Sequence, residues 1–240
     1  MPTHLVERRG REIVSLLLSK LSMQVNAPPF VKYQYKITSE LDSNRILLCN
    51  NACWGIGEVA QRAPEQVRPI LSEIINVLAE LLNTDVLNQL QSQDDDPLLR
   101  HFAKTISITL GRLGRVDPEA SAYCLPRIIK PWCLALRYIS GSEEKAQAFR
   151  GLCSMIPYNP IGIAEGFPYF CEALVEFKNP SQDLEHIFHN LIMTFRQCLG
   201  SQEWDAYMDS FPPQLRDELY ARFRVAKSAP QQQMRASGKD

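Results

Sequence analysis

His186 and His189 stand three residues apart and Cys198 follows nine residues after the second, a set that offers a base and a thiol nucleophile. Nucleophilic catalysis also needs a group to orient the base and donors for the developing oxyanion, and the surrounding sequence supplies neither. The other suggestive pair, Cys49 and Cys53, has the i, i+4 spacing of one helix face. It lacks a nearby histidine or a second pair at a matching interval, which a tetrahedral zinc site would want. The seven cysteines (Cys49, Cys53, Cys124, Cys133, Cys153, Cys171 and Cys198) are odd in number and lie in apolar stretches, a pattern of buried free thiols rather than of disulfides. The expectation is a protein that is not an enzyme and carries no metal or cofactor.

Recognition is the chemistry the sequence offers instead. Ile46, Asn50, Trp54 and Glu58 recur at i, i+4, i+8 and i+12, so they line one slowly turning face of a helix. An indole flanked by an amide and an acid suits an extended peptide: the ring holds apolar side chains and the amide bonds the backbone. Glu58 is placed to attract a basic residue. The competing reading makes Trp54 a core residue with a satisfied indole N–H.

These residues sit in a chain of 240 residues with 45% hydrophobic and 22% charged residues, the proportions of a soluble globular protein of about one or two domains. A net charge of -1 excludes a nucleic-acid surface spread over the whole molecule, and 9% aromatic residues exclude a wholly disordered chain. No run approaches the ~18 apolar residues of a membrane span. Arg8, Arg9 and Arg11 ahead of Ile13–Leu18 imitate a signal peptide, but that apolar run falls short of the usual ~7–15 residues. A cytoplasmic or nuclear protein with no direct nucleic-acid or membrane partner is expected.

Almost every segment has the helical period, and no alternating hairpin pattern is present, so the fold is expected to be all α. Asn50–Glu65 aligns with Lys104–Glu119, setting Trp54 against Ile108, Gly57 against Gly111 and Pro64 against Pro118; a third copy brings in Arg150, Cys153 and Pro160. The proline intervals are 54 and 42, and removing about 12 residues of the polar insert 84–96 reconciles them with the ~40–47-residue HEAT/armadillo period. Each proline suits the first turn of a first helix (A), and the glycine-bearing segment before it is the second helix (B) of the preceding repeat. A glycine inside a helix costs roughly 1 kcal/mol against alanine, and close approach of the next helix is the expected compensation.

The expected layout is a HEAT-repeat α-solenoid of stacked antiparallel helix pairs. Pairs are expected at about 11–23 with 44–62, 65–83 with 98–116, 119–139 with 143–156, and 161–177 with 181–199. A short pair, 203–210 with 213–223, closes the stack. Residues 1–43 read as an incomplete leading repeat and irregular linker, 44–224 as the repeat array and 225–240 as a disordered tail. The insert 84–96 reads as a solvated linker. The uncapped start fits the trailing part of a longer protein or a shortened gene product.

Cys49-Asn-Asn-Ala-Cys-Trp54-Gly-Ile-Gly-Glu58, Ile108-Thr-Leu-Gly-Arg-Leu-Gly114, Lys130-Pro-Trp-Cys133 and Glu143-Glu-Lys-Ala-Gln-Ala-Phe149-Arg-Gly151 together resemble the C-terminal HEAT-repeat region of transportins, import receptors of the importin-β family. Asn159-Pro160, Phe170-Cys171 and Phe211-Pro-Pro-Gln-Leu-Arg216 extend the likeness, which runs from about Ile46 to Phe223. The resemblance implies nuclear import of cargo bearing proline-tyrosine type localisation signals, release by the Ran GTPase, contact with nucleoporins, and shuttling between cytoplasm and nucleus. It gives Trp54 and Ile108, with Asn50 and Ile46 beside them, as cargo-binding residues on the concave layer of B helices. It also implies that the Ran-binding arch and the main proline-tyrosine site lie in repeats this chain lacks. The alternative is a generic HEAT-repeat interaction scaffold without a transport role.

Overall fold

The first helices of the three middle pairs begin at the prolines that the sequence marks, and each begins in two steps. Pro64 opens a single turn, Pro64–Val67, followed by a 3-10 turn Arg68–Ile70 and only then by the helix proper. Pro118 opens Pro118–Ser121 and the 3-10 turn Ala122–Cys124, and Pro160 opens the 3-10 turn Pro160–Ile163. A second proline, within the lead-in (Pro69) or in the first turn of the helix that follows it (Pro126, Pro168), explains the stagger, since its ring cannot follow four helical residues without loss of a backbone bond. The first helices are therefore shorter than their apolar pattern predicts. Two lead-ins are capped: Asp117 Oδ1 accepts from the Ala120 amide at 3.0 Å, and Asn159 Oδ1 from the Gly162 amide at 3.1 Å. Asp117 also takes Arg68 at 2.9 Å, and Asn159 Nδ2 donates to the Ala122 carbonyl at 3.0 Å, so each cap doubles as a tie to the preceding lead-in.

The computed structural model describes residues 3–25, 40–83, 97–140 and 142–224. Its helices are α1 (Thr3–Val25), α2 (Glu40–Arg62), α3 (Leu71–Leu81), α4 (Pro97–Val116), α5 (Leu125–Leu136), α6 (Ser142–Met155), α7 (Phe167–Glu176), α8 (Gln182–Leu199), α9 (Ser201–Asp209) and α10 (Pro213–Phe223). Of the described residues 89% are helical and none is in a strand, an all-α solenoid of helix pairs. The insert 84–96, most of the linker in 1–43 and all of the tail 225–240 lie outside the described residues.

Two compact units divide the chain, Met1–Glu185 and His186–Asp240. In the first, α1 packs on α2, α2 on α4 and α4 on α6, so the second helices form one continuous layer. The first helix α5 packs on α7, and the lead-in to α5 stands against α3. α4 is the most enclosed: from Thr105 to Gly114 every residue is buried. In the second unit, Phe188, Ile192, Trp204, Met208, Leu219 and Phe223 form the core, and Gly200 turns the chain between α8 and α9 at a φ of 83° that an L side chain rarely adopts.

Candidate peptide-binding face

The layer of second helices is drawn together through glycine. A Cβ on Gly111 would meet the Ala148 Cα at 2.5 Å, so α4 and α6 approach nearly backbone to backbone, and one on Gly57 would meet the Thr109 side chain of α4 at 2.8 Å. Thr109 Oγ1 donates to the Cys53 carbonyl at 3.1 Å, and Ser154 Oγ reaches the Gly114 carbonyl at 3.2 Å, pinning the two seams. The close approach expected of Gly57 and Gly111 is thus what the structure has.

Across these seams runs a polar network centred on Arg112. Its guanidinium donates to Glu58 Oε1 at 2.8 Å and to Gln147 Oε1 at 3.2 Å, and its central carbon stands 4.6 Å from the Trp54 ring centroid. Glu58 also takes Arg62 at 2.9 Å, while Gln147 donates onward to Glu143 at 3.2 Å. One side chain of α4 thereby joins α2 to α6 and braces the indole by a cation–π contact. Nearby, Lys104 pairs with Glu144 at 3.1 Å, and Arg150 pairs with Asp183 and donates to Ser181 Oγ at 3.0 Å. The arginine beside Asp183 holds its carboxyl well below the usual carboxylate range.

Trp54 lies in this network with 37% of its surface exposed, while Ile108 is 1% and Ile46 0% exposed. Asn50 is 9% exposed, and its Oδ1 meets no donor among the described residues. The four sequence-predicted residues are therefore not one open set. Trp54 faces water, and the two isoleucines are core. The reason is rotational. Steps of four residues advance about 40° each, so by three steps the i+4 series has turned by ~120°. Ile108 is sealed because the glycine seams close both flanks of α4. Glu58, expected to attract a basic partner, is already satisfied by Arg112 and Arg62.

The open stripe of α2 follows alternating steps of four and three instead: Leu47, Asn51, Trp54, Glu58 and Gln61. Leu47 is 43% exposed. Past Trp54 the stripe runs into a cavity of about 340 Å³ whose polar lining is Gln61, Arg112, Arg115 and Gln147, with walls from Ala60 and Val116. Sequence reasoning missed Arg112, yet the repeat alignment held the signal, because it sets Glu58 against Arg112, opposite charges at equivalent positions of successive helices.

The residues first considered for catalysis do not converge. His189 and Cys198 lie on one helix about 13 Å apart along its axis. Six thiols are buried, and burial pushes each of them up, Cys49 to about 11 and Cys53 and Cys124 to about 12. Cys133, Cys153 and Cys171 shift the same way. Among the described residues no group of three His, Cys, Asp or Glu is arranged to hold a metal ion, and no described helix is long and apolar enough to cross a membrane.

Fold and face together define a helical-repeat protein whose second helices stack in one layer. The sequence is 34% identical over 208 residues to Transportin-1 of Homo sapiens, covering 87% of this chain and 22% of that protein. It is 31% identical over 189 residues to Transportin of Dictyostelium discoideum (79% and 19%) and 29% over 182 residues to Importin subunit beta-2 of Schizosaccharomyces pombe (73% and 18%). No protein-family model matches the chain. The chain is a transportin-like HEAT-repeat region, and it spans 22% or less of the length of these curated relatives.

Proposed function

We propose that this chain is the C-terminal cargo-binding part of a nuclear import receptor, holding an extended localisation signal of the proline-tyrosine type along the open stripe of α2. The observation that carries the reading is the exposed indole of Trp54, which stands on an open stripe while Trp132 and Trp204 are buried. Ring burial against an apolar side chain of the signal supplies the attraction, and Arg112 holds the ring in place for it. Asn51, exposed between Leu47 and Trp54, is the amide within reach of a bound backbone. Asn50, Ile46 and Ile108 lie buried beneath this surface. In this reading the receptor shuttles between cytoplasm and nucleus, with the Ran GTPase and nucleoporins as partners through the family, and the relatives named transportin and importin support it.

The test uses the full chain and a fluorescein-labelled proline-tyrosine signal peptide. Binding should quench Trp54 and should weaken at least about tenfold in Trp54→Ala. Unchanged affinity in that variant sinks the assignment of the face.

A further inference from the structure

The stripe of α2 does not end in open solvent but in the 340 Å³ cavity, and the two share a wall: Arg112 touches the Trp54 ring on one side and lines the cavity on the other. A space of this size holds on the order of ten waters, or one side chain and its hydration. Its charges are unequal. Arg112 is matched by Glu58, and Glu58 is shared with Arg62. Arg115, on the next turn of α4, is exposed and makes no ion pair or hydrogen bond among the described residues. Gln61 and Gln147 add amide groups, and among the described residues no carboxylate lines the cavity. A guanidinium without a counter-charge, beside two amides and a partly apolar wall, is the chemistry that recognises a carboxylate.

We propose that the cavity lined by Gln61, Arg112, Arg115 and Gln147 is a second subsite for the same extended peptide, and that it takes an aspartate or glutamate side chain. The inference rests on the reading of Trp54 as a peptide contact. Spacing follows from geometry. Seven residues of helix from Trp54 to Gln61 rise about 10 Å, and an extended peptide covers that distance in about three residues. The face therefore reads an apolar residue and an acidic residue about three positions apart. An acidic requirement sets this subsite apart from a groove that merely collects basic signals, and it allows a single charge on the cargo to set its affinity.

The experiment measures fluorescence polarisation of the full chain with labelled peptides that carry one leucine and, three positions before or after it, Glu, Gln or Lys. The Glu peptide in one of the two orders should bind about tenfold more tightly than its Gln counterpart at low salt, with Lys weaker still. Arg115→Gln should bring the Glu peptide to within about twofold of the Gln peptide, and Trp54→Ala should weaken all of them. Equal affinities for Glu, Gln and Lys that still depend on Trp54 overturn the carboxylate subsite and leave the peptide face standing. A Glu preference that survives Arg115→Gln overturns the subsite too. Absence of Trp54-dependent binding by any peptide, the proline-tyrosine signal included, overturns both.

Discussion

Arg112 stacks on Trp54 from the neighbouring helix, 4.6 Å from the ring centroid, while its guanidinium is held by Glu58 at 2.8 Å. The indole is thus open to water but fixed in place. Removing the arginine strands Glu58 with only Arg62 and frees the ring. Arg112→Ala should cost about 2 kcal/mol of stability, read as a lower midpoint in urea. Because Trp132 and Trp204 are buried, acrylamide quenching reports Trp54, and it should rise in Arg112→Ala. Arg112→Lys keeps the charge but loses the planar fork and should fall between the two.

The glycine seams make opposite demands at two nearby positions. A Cβ on Gly111 meets the backbone of Ala148 at 2.5 Å, whereas one on Gly55 meets only the end of Leu17, a side chain that can turn aside. Alanine gains about 1 kcal/mol of helix propensity at either site. At Gly111 that gain is outweighed by forcing α4 and α6 apart, an overpacking cost of ~1–3 kcal/mol or more. Gly111→Ala should therefore lower the thermal midpoint, and Gly55→Ala should leave it unchanged or raise it.

How far these features were visible in the sequence follows the same division. Repeating apolar pairs and the prolines at 64, 118 and 160 gave the helix pairs and their order, because periodicity and missing N–H groups act locally. The two-step lead-ins were also written there, in Asp117-Pro118 and Asn159-Pro160 and in the second prolines, but the longer apolar pattern hid them. Trp54 was legible as a special residue. The residues that share its exposed edge were not, since which edge of α2 stays open depends on α1 and α4 packing on it, and a one-residue rotation exchanges Ile46 and Asn50 for Leu47 and Asn51. The burial of Ile108 was hidden for a related reason: equivalence to Trp54 in the repeat says nothing of how tightly glycine lets α6 close on α4.

Thiol chemistry offers a check on the core that needs no ligand. Of the seven cysteines only Cys198 is exposed. Burial raises the others, Cys53 to about 12, so they are both protected and protonated at neutral pH. Native chain treated with an aromatic disulfide reagent at pH 8 should release one equivalent of thiolate promptly and the rest only on unfolding. Cys198→Ser should abolish the prompt phase.

Asp183 brings a pH dependence whose sign is fixed by its partner. Pairing with Arg150 holds its folded-state pKa below the unfolded value of about 3.9. Such a group contributes stability that is fully present above the unfolded pKa and is lost as pH falls through the folded one. The difference in unfolding midpoint between the parent and Asp183→Asn should therefore be constant from pH 8 to about 5 and shrink below about 4. A difference that grows on acidification contradicts the pairing.

Burial separates the residues around the indole into those that pack the fold and those that stand in solvent. Ile46 and Ile108 are enclosed, so Ile46→Ala and Ile108→Ala remove packed methyls and should each cost ~2–5 kcal/mol. Leu47 and Asn51 stand in solvent on the Trp54 stripe, so Leu47→Ser and Asn51→Ala should change stability by less than about 0.5 kcal/mol yet weaken peptide binding. Denaturant titration alongside peptide titration of the four variants separates the effects. If Ile108→Ala lost affinity at unchanged stability, its side chain would have to reach the ligand directly, and the closed geometry of α4 would have to open for it to do so.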